Sequence, residues 1–217
     1  MIQTTIPSKL PRTFYARPVL TVARELIGKT LVHVTEAGVL RALITETEAY
    51  DGTCDKGCHA YPYKCTDRTK ILFGEAGHAY VYLIYGMYHC FNIVTNEEGY
   101  PAGVLIRAAV PVGDGLEQMA ALRKQPIPRT KKQLLRLMNG PGKLCQGMHL
   151  TKTENGMDLC GDQLYVEDTP LLEGSQILTT PRINIDYAEE AKDFLWRFVL
   201  EEKSLQDMTK QHMNFIV

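Results

Sequence analysis

Two runs of alternating residues around positions 77–94 predict a β-hairpin. In the first run one face consists of Tyr80, Tyr82 and Ile84, and the other consists of Val81, Leu83 and Tyr85. The runs meet at Tyr85-Gly86, so Tyr85 is expected at the tip. A strand packed only in hydrocarbon has little use for so many tyrosines, because each buried hydroxyl needs a partner. The hairpin therefore either packs an aromatic-rich core or presents a surface for flat ligands.

The remaining pattern predicts an α+β fold. A helix is expected from Pro18 to Gly28, with its buried stripe made of Leu20, Ala23, Leu26 and Ile27. Strands are predicted at residues 30–34, 39–50 and 103–110, and helices at 114–124, 130–139 and 187–199. The first two of these helices begin with the capping patterns D-x-x-E and Thr130-x-x-Gln133, and residues 140–143 form a turn into a short helix. We expect one domain over residues 1–217, with a largely antiparallel sheet and a short N-terminal tail at about 1–11.

Composition narrows the class of protein. The chain has 217 residues, of which 45% are hydrophobic, enough for one substantial core. It has no apolar run of the ~20 residues that span a bilayer, and its N-terminus lacks a secretory pattern, so a cytoplasmic protein is expected, associated with the nucleoid in a bacterium. Cys54, Cys58, His59 and Cys65 leave a metal-dependent hydrolase as an alternative. Zinc ligands usually occur as two closely spaced pairs, and the second pair is missing here, so we expect no metal.

Positively charged residues are concentrated in two segments of the chain, although the net charge of the whole chain is -1. Residues 118–153 contain no Asp or Glu, and their basic residues are Arg123, Lys124, Arg129, Lys131, Lys132, Arg136, Lys143 and Lys152. A smaller basic group, Lys64, Arg68 and Lys70, precedes the hairpin. Both groups could be solvated surface. Their proximity in sequence to a tyrosine-rich hairpin also fits contact with nucleic acid.

Three polar residues interrupt predicted strands: Glu48, Asn92 and Arg107. A buried charge needs a partner, so Arg107 is expected near Glu48 or Glu46. The pair could simply fix strand register, or it could hold a water molecule beside the tyrosines. Aromatic rings stack on nucleobases and attract cationic rings more strongly, which suits an alkylated purine. An enzyme that reaches the bond between this base and its sugar must extrude the nucleotide and fill the gap, and Tyr85 is in the right place to do so.

Four segments carry a resemblance to a known family. They are residues 46–50 (ETEAY), 77–87 (GHAYVYLIYGM), 105–108 (LIRA) and 140–145 (GPGKLC). In this order, and from residues 14–18 (FYARP) to 196–198 (WRF), the chain resembles the alkyladenine (3-methyladenine) DNA glycosylase family. The resemblance implies a single compact domain with a curved sheet, flanking helices and a protruding hairpin that enters the minor groove. It implies no cofactor and no metal.

The resemblance also implies catalytic and base-binding roles. Glu48 matches the general base that deprotonates the attacking water, and Arg107 matches the arginine that helps to hold it. Tyr50, His59 and Tyr82 match the residues that sandwich the flipped base.

Four further residues match positions that contact DNA or select the base. Tyr85 matches the intercalating tyrosine, and Asn92 matches the asparagine that rejects the exocyclic amine of guanine. Met87 and Arg68 are similar to positions near the DNA.

The expected activity is hydrolytic removal of alkylated purines from duplex DNA in base excision repair. The expected substrates are 3-methyladenine and 7-methylguanine, with hypoxanthine and ethenoadenine as further candidates. Damaged duplex DNA is the expected partner of a monomeric protein, with no membrane or protein partner. The alternative from another class is a non-catalytic nucleic-acid-binding module.

Overall fold

A long central strand, β2 (Gly38–Asp51), organises the sheet. The computed structural model describes residues 8–212. Within them the strand order is β3-β4-β5-β2-β1-β6, and β8 pairs with β2 and with β7. All these pairings are antiparallel. The result is a curled sheet with flanking helices in a single compact α+β domain, which confirms the predicted fold class.

The other strands are β1 (Thr30–Thr35), β3 (Ala79–Ile84), β4 (Tyr88–Val94), β5 (Ala102–Pro111), β6 (Leu164–Glu167), β7 (Ile177–Thr180) and β8 (Arg197–Leu200). The α-helices are α1 (Arg12–Tyr15), α2 (Val19–Glu25), α3 (Leu116–Leu122), α4 (Lys131–Leu137), α5 (Pro141–Gly147) and α6 (Glu202–His212). Short 3-10 helices cover Lys70–Phe73, Lys152–Glu154 and Asp186–Asp193.

A pair of bulges interrupts the ladder between β2 and β5. Ile44 pairs with Ala109 and Glu46 with Ala108, so Thr45 is skipped on β2. The next pair on β2 is Thr47 with Ile106, so Arg107 is skipped on β5. Bulges bend strands and redirect side chains. In β5, Arg107 is the one residue that is not buried.

Most helix predictions are confirmed at the level of the element. α4 begins with the predicted capping box between Thr130 and Gln133. Two details are wrong. Leu20 is 37% exposed, and the buried stripe of α2 uses Val19 and Val22 in its place.

The second wrong detail is the start of α3. Its N-cap is Gly115, which has a φ of 96°, and no side chain caps the helix. A Cβ atom on Gly115 would lie 2.8 Å from the carbonyl oxygen of Val39. The close approach to Val39 therefore requires glycine at the cap, and the D-x-x-E pattern that begins at Asp114 does not form a capping box.

The helix predicted at residues 187–199 is wrong. The chain forms a 3-10 helix interrupted at Ala188 and Glu189, followed by β8. β8 pairs with the free edge of β2 from Glu46 to Glu48. This pairing satisfies backbone groups that a helix would leave unpaired on β2, so the tertiary context overrides the local helical pattern.

Part of the predicted N-terminal tail lies outside the described residues. Residues 1–7 of the tail are not described. Lys9, in contrast, forms a β-bridge with Glu167, and Leu10 is buried. Between residues 8 and 212 there is no helix with the length and apolar character needed to cross a membrane.

Candidate active site

A cavity opens between the C-terminal end of β2, the β3–β4 hairpin and the start of α5. Its volume is about 440 Å³, within the ~300–1,000 Å³ typical of small-molecule sites. It is lined by seven of the residues singled out from the sequence: Glu48, Tyr50, His59, Tyr82, Tyr85, Asn92 and Arg107. The other two, Arg68 and Met87, lie outside the lining. Residues that are far apart in sequence thus converge on one space.

Glu48 lies fully buried at this cavity. Its Oε1 accepts a hydrogen bond from the backbone N–H of Ile183 at 2.9 Å, and its Oε2 accepts one from the Tyr50 hydroxyl at 2.8 Å. Burial and then the Glu48 charge raise the pKa of Tyr50 well above its usual value, so its hydroxyl remains a donor. Two neutral donors therefore orient a buried carboxylate.

Arg107 contacts both carboxylates but favours Glu46. The distance from Arg107 Nε to Glu46 Oε1 is 2.8 Å, whereas the distance to Glu48 Oε1 is 3.7 Å. Arg197 also binds Glu46, at 2.6 Å. Glu46 is therefore held between two guanidinium groups, and Glu48 retains free acceptor capacity.

Aromatic side chains, among them Tyr50, His59 and Tyr82, line the cavity. The rings of His59 and Tyr82 have centroids 4.6 Å apart and meet edge to face at 72°. A base between two rings needs them ~7 Å apart, which is twice the usual contact distance. No base fits between His59 and Tyr82 in this arrangement. These two rings therefore form a single wall, and Tyr50 also lines the cavity.

His59 is neutral at physiological pH. Desolvation, and then the charge of Arg68, lower its pKa to about 4. Its Nε2 lies 3.4 Å from a guanidinium nitrogen of Arg68, and its Nδ1 lies 3.0 Å from the Tyr80 hydroxyl. Because Arg68 can only donate, Nε2 is the acceptor and Nδ1 carries the hydrogen. Arg68 thus fixes the tautomer, and the Tyr80 hydroxyl accepts the hydrogen bond from Nδ1.

Asn92 presents an amide to the cavity from β4. It is 5% exposed, and its Nδ2 donates to the carbonyl oxygen of Tyr80 at 3.2 Å. That contact fixes the amide orientation against the paired strand. The amide is therefore a rigid polar feature among aromatic groups.

The hairpin tip projects away from the core. Tyr85 and Gly86 both have positive φ, 53° and 67°, as in a type I′ turn. Tyr85 is 74% exposed and Met87 is 64% exposed. Exposed aromatic and apolar side chains at a protruding tip are suited to insertion between stacked bases.

Basic side chains lie at the cavity. The guanidinium of Arg68 lies 4.9 Å from the centre of the Tyr82 ring. Arg123 and Lys143 line the cavity wall. Both basic segments of the sequence therefore contribute positive charge near the tyrosines.

The sequence reasoning missed the segment that follows β7. Ile183, Asn184, Ile185 and Tyr187 line the cavity, and Ile183 donates to Glu48. Arg182, immediately before them, forms a fully buried ion pair with Asp55. One available indication was Pro181, which disfavours a regular element there and precedes an isolated arginine next to Ile183.

No group of three His, Cys, Asp or Glu side chains in the described part of the chain is arranged to hold a metal ion. Cys54 and Cys65 are exposed, whereas Cys58 is buried. Burial raises the pKa of the Cys58 thiol to about 12, which keeps it protonated. Cys54, Cys58, His59 and Cys65 do not form such a group within residues 8–212.

Comparison with known proteins identifies the family. The family model described as methylpurine-DNA glycosylase matches residues 13–204. A protein of Alkaliphilus oremlandii, provisionally named 3-methyladenine DNA glycosylase, is 54% identical over 89% of this chain and 96% of its own length. Proteins with the same provisional name are 51% identical in Desulfitobacterium hafniense, over 89% and 96%, and 48% identical in Clostridium acetobutylicum, over 94% and 99%. The chain belongs to the methylpurine-DNA glycosylase family, whose members are hydrolases that cleave N-glycosidic bonds.

Proposed function

We propose that this protein is a monofunctional DNA glycosylase that flips methylated purines out of duplex DNA and removes them by hydrolysis. The observation that carries the proposal is the buried Glu48 carboxylate, oriented by Tyr50 and Ile183 at a tyrosine-lined cavity. The exposed hairpin tip next to this cavity supports base flipping. The product is an abasic site in base excision repair, and the enzyme acts where the chromosome lies, in the cytoplasm of a bacterium.

The proposed reaction uses one water molecule. Glu48 accepts a proton from the water, and the resulting hydroxyl bonds to C1′ of the sugar. The bond between C1′ and the purine nitrogen breaks, and its electron pair leaves with the base. An alkylated purine carries a positive charge and departs neutral, so it needs no general acid. Arg107, which points one guanidinium edge at the two carboxylates, helps to hold the water.

The cavity walls suggest how the base is bound. The flipped purine stacks on Tyr50 with one face and on the wall of His59 and Tyr82 with the other, because the 4.6 Å between those two rings excludes it from the gap. The fixed amide of Asn92 opposes the exocyclic amine of normal guanine. Each stacked contact of this kind contributes ~1–3 kcal/mol.

The hairpin and basic flanks suggest how DNA is held. Tyr85 takes the place of the flipped nucleotide in the stack, with Met87 beside it. Arg68 and the other basic side chains at the rim contact phosphates, which favours binding in proportion to the number of charges neutralised.

Charge sets the substrate order. We propose 3-methyladenine and 7-methylguanine first, because their positive charge makes them good leaving groups. Hypoxanthine and ethenoadenine are neutral and would need protonation on departure. His59 cannot supply that proton near neutral pH, because its pKa is about 4. They are therefore expected to be slow substrates.

A panel of duplexes, each with one modified purine, tests the proposal. Strand cleavage after abasic-site treatment should follow the order above for the wild-type protein. Glu48→Gln should abolish release while lesion binding persists, and borohydride should trap no covalent adduct, because no amine attacks the sugar. Efficient trapping, or activity that survives Glu48→Gln, would refute the water mechanism. Lesion binding with no free purine released by the wild type would favour the binding module.

A further inference from the structure

Arg182 occupies an unusual position behind the cavity. Its side chain is fully buried and binds both carboxylate oxygens of Asp55, with Nη2 2.7 Å from Oδ1. It also donates to the carbonyl oxygen of Ala191 at 3.0 Å. Arg182 does not line the cavity. Any effect on chemistry must therefore act through its neighbours.

Those neighbours are Glu48, Ala49 and Tyr50, three consecutive residues of β2. The backbone N–H of Ile183, next to Arg182, binds Glu48 at 2.9 Å. Arg182 Nη1 donates to the carbonyl oxygen of Ala49 at 2.8 Å. Its guanidinium lies 4.7 Å from the centre of the Tyr50 ring. The Arg182 side chain and the backbone next to it thus hold the Glu48 carboxylate, strand β2 and the Tyr50 ring together.

Arg182 and Asp55 form an electrically balanced pair. Asp55 Oδ1 also accepts the backbone N–H of Gly57 at 2.8 Å, so the loop that leads to His59 joins the same arrangement. Trp196 lies 5.3 Å from the guanidinium and completes its aromatic surroundings. Only a planar, permanently charged fork can bind a carboxylate through two nitrogens and stack on rings at the same time. Lysine would keep the charge and lose both features.

We infer that Arg182, held by Asp55, is a positioning residue that keeps Glu48 and Tyr50 in their reactive arrangement. The inference rests on the proposed glycosylase function. It assigns a role in the reaction to a side chain that never touches the base.

The test compares Arg182→Lys with a matched control, Arg12→Lys. Arg12 also pairs with a carboxylate, Asp158, and with a backbone carbonyl, but it lies outside the cavity lining. Release of methylated purines from dimethyl-sulfate-treated DNA is measured with enzyme in excess. Affinity is measured on a duplex with a tetrahydrofuran abasic-site analogue, which has no base to stack on Tyr50. The single tryptophan, Trp196, reports on folding.

Arg182→Lys should slow release by about fivefold or more while abasic-site affinity stays within about threefold. Arg12→Lys should leave both unchanged. A smaller effect on the rate, or an equal loss of rate and affinity, would overturn the positioning role. If Arg182→Lys does not fold, the double variant Asp55→Asn/Arg182→Gln carries the same test, because removing both charges leaves no unpaired buried ion. A wild-type protein that releases no purine would instead contradict the proposed function itself.

Discussion

Neutralising Glu46 tests whether its contacts stabilise the fold beside the site. Its Oε1 lies 2.8 Å from Arg107 and 2.6 Å from Arg197, and the side chains of Glu46, Arg107 and Arg197 are only 15%, 15% and 20% exposed. Glu46→Gln keeps the shape and the acceptor oxygen but removes the charge. The largely buried guanidinium groups of Arg107 and Arg197 then contact a neutral amide oxygen, which attracts them less strongly than a carboxylate does.

The expected loss follows from the negative charge that the two arginines lose. Removing one partner of a buried ion pair costs ~3–5 kcal/mol. Glu46→Gln keeps an acceptor for the hydrogen bond from Arg197 Nε, and the three groups are not wholly buried, so the free energy of unfolding should fall by about 2–3 kcal/mol. For a domain of this size that corresponds to a fall in Tm of about 4–12 °C.

Denaturant unfolding followed by Trp196 fluorescence measures this loss, because the single tryptophan is adjacent to Arg197. Glu75→Gln is the control. Glu75 contacts Arg12 at 3.2 Å but is 58% exposed, and such exposed pairs contribute ~0–1 kcal/mol. If Glu46→Gln unfolds within about 0.5 kcal/mol of wild type, the assignment of Glu46 as the principal partner of both arginines is wrong. Base release should also slow, because Arg107 then has Glu48 as its nearest carboxylate.

One titration and two variants test the site further. The pKa of His59, about 4, lies below its ordinary value of ~6.5. The contribution of neutral His59 to the free energy of unfolding should therefore be complete above pH ~6.5 and decline as the pH falls toward about 4. An NMR titration midpoint near the ordinary value would contradict this. Tyr85→Asn should raise the free energy of unfolding by up to ~1 kcal/mol, because asparagine tolerates the positive φ. The same variant should weaken binding to a lesion duplex. Unchanged binding would exclude the role of Tyr85 as the side chain that replaces the flipped nucleotide. Asn92→Ser should increase release of unmodified guanine from normal DNA, measured by chromatography of the free bases, and an unchanged background would remove Asn92 from discrimination.

The sequence predicted those parts of the fold that local patterns determine. Period-two alternation located the hairpin and the long strand β2, and the capping box located the start of α4. The same strands carry much of the candidate site. Glu48 and Asn92 each pair with Leu105, so two polar residues from different strands meet across β5. A polar residue in an apolar strand was enough to identify each of them.

The parts that were missed depend on long-range pairing. β8 becomes a strand only because β2 offers it an open edge, which no local window reveals. The preference of Arg107 for Glu46 over Glu48 accompanies the two bulges at Thr45 and Arg107, which shift the register between the strands. Arg182 reaches Asp55 across 127 positions of sequence. Its role became visible only when the segment after β7 was placed against β2.

The proposed preference for a cationic base follows from the charges next to Glu48. Arg107 and Arg197 together balance Glu46 and Glu48, and Arg182 balances Asp55, so these ionised groups sum to zero. A methylated purine brings one positive charge next to the Glu48 carboxylate. In the proposed reaction the base loses its charge as the C1′ bond breaks, and Glu48 loses its charge as it accepts the proton from water. Two opposite charges thus disappear together at a fully buried carboxylate, where separated ions are costly. A neutral purine would instead leave as an anion, so the negative charge of Glu48 would only move onto the base and no pair of charges would disappear; charge alone therefore disfavours undamaged bases in the proposed reaction.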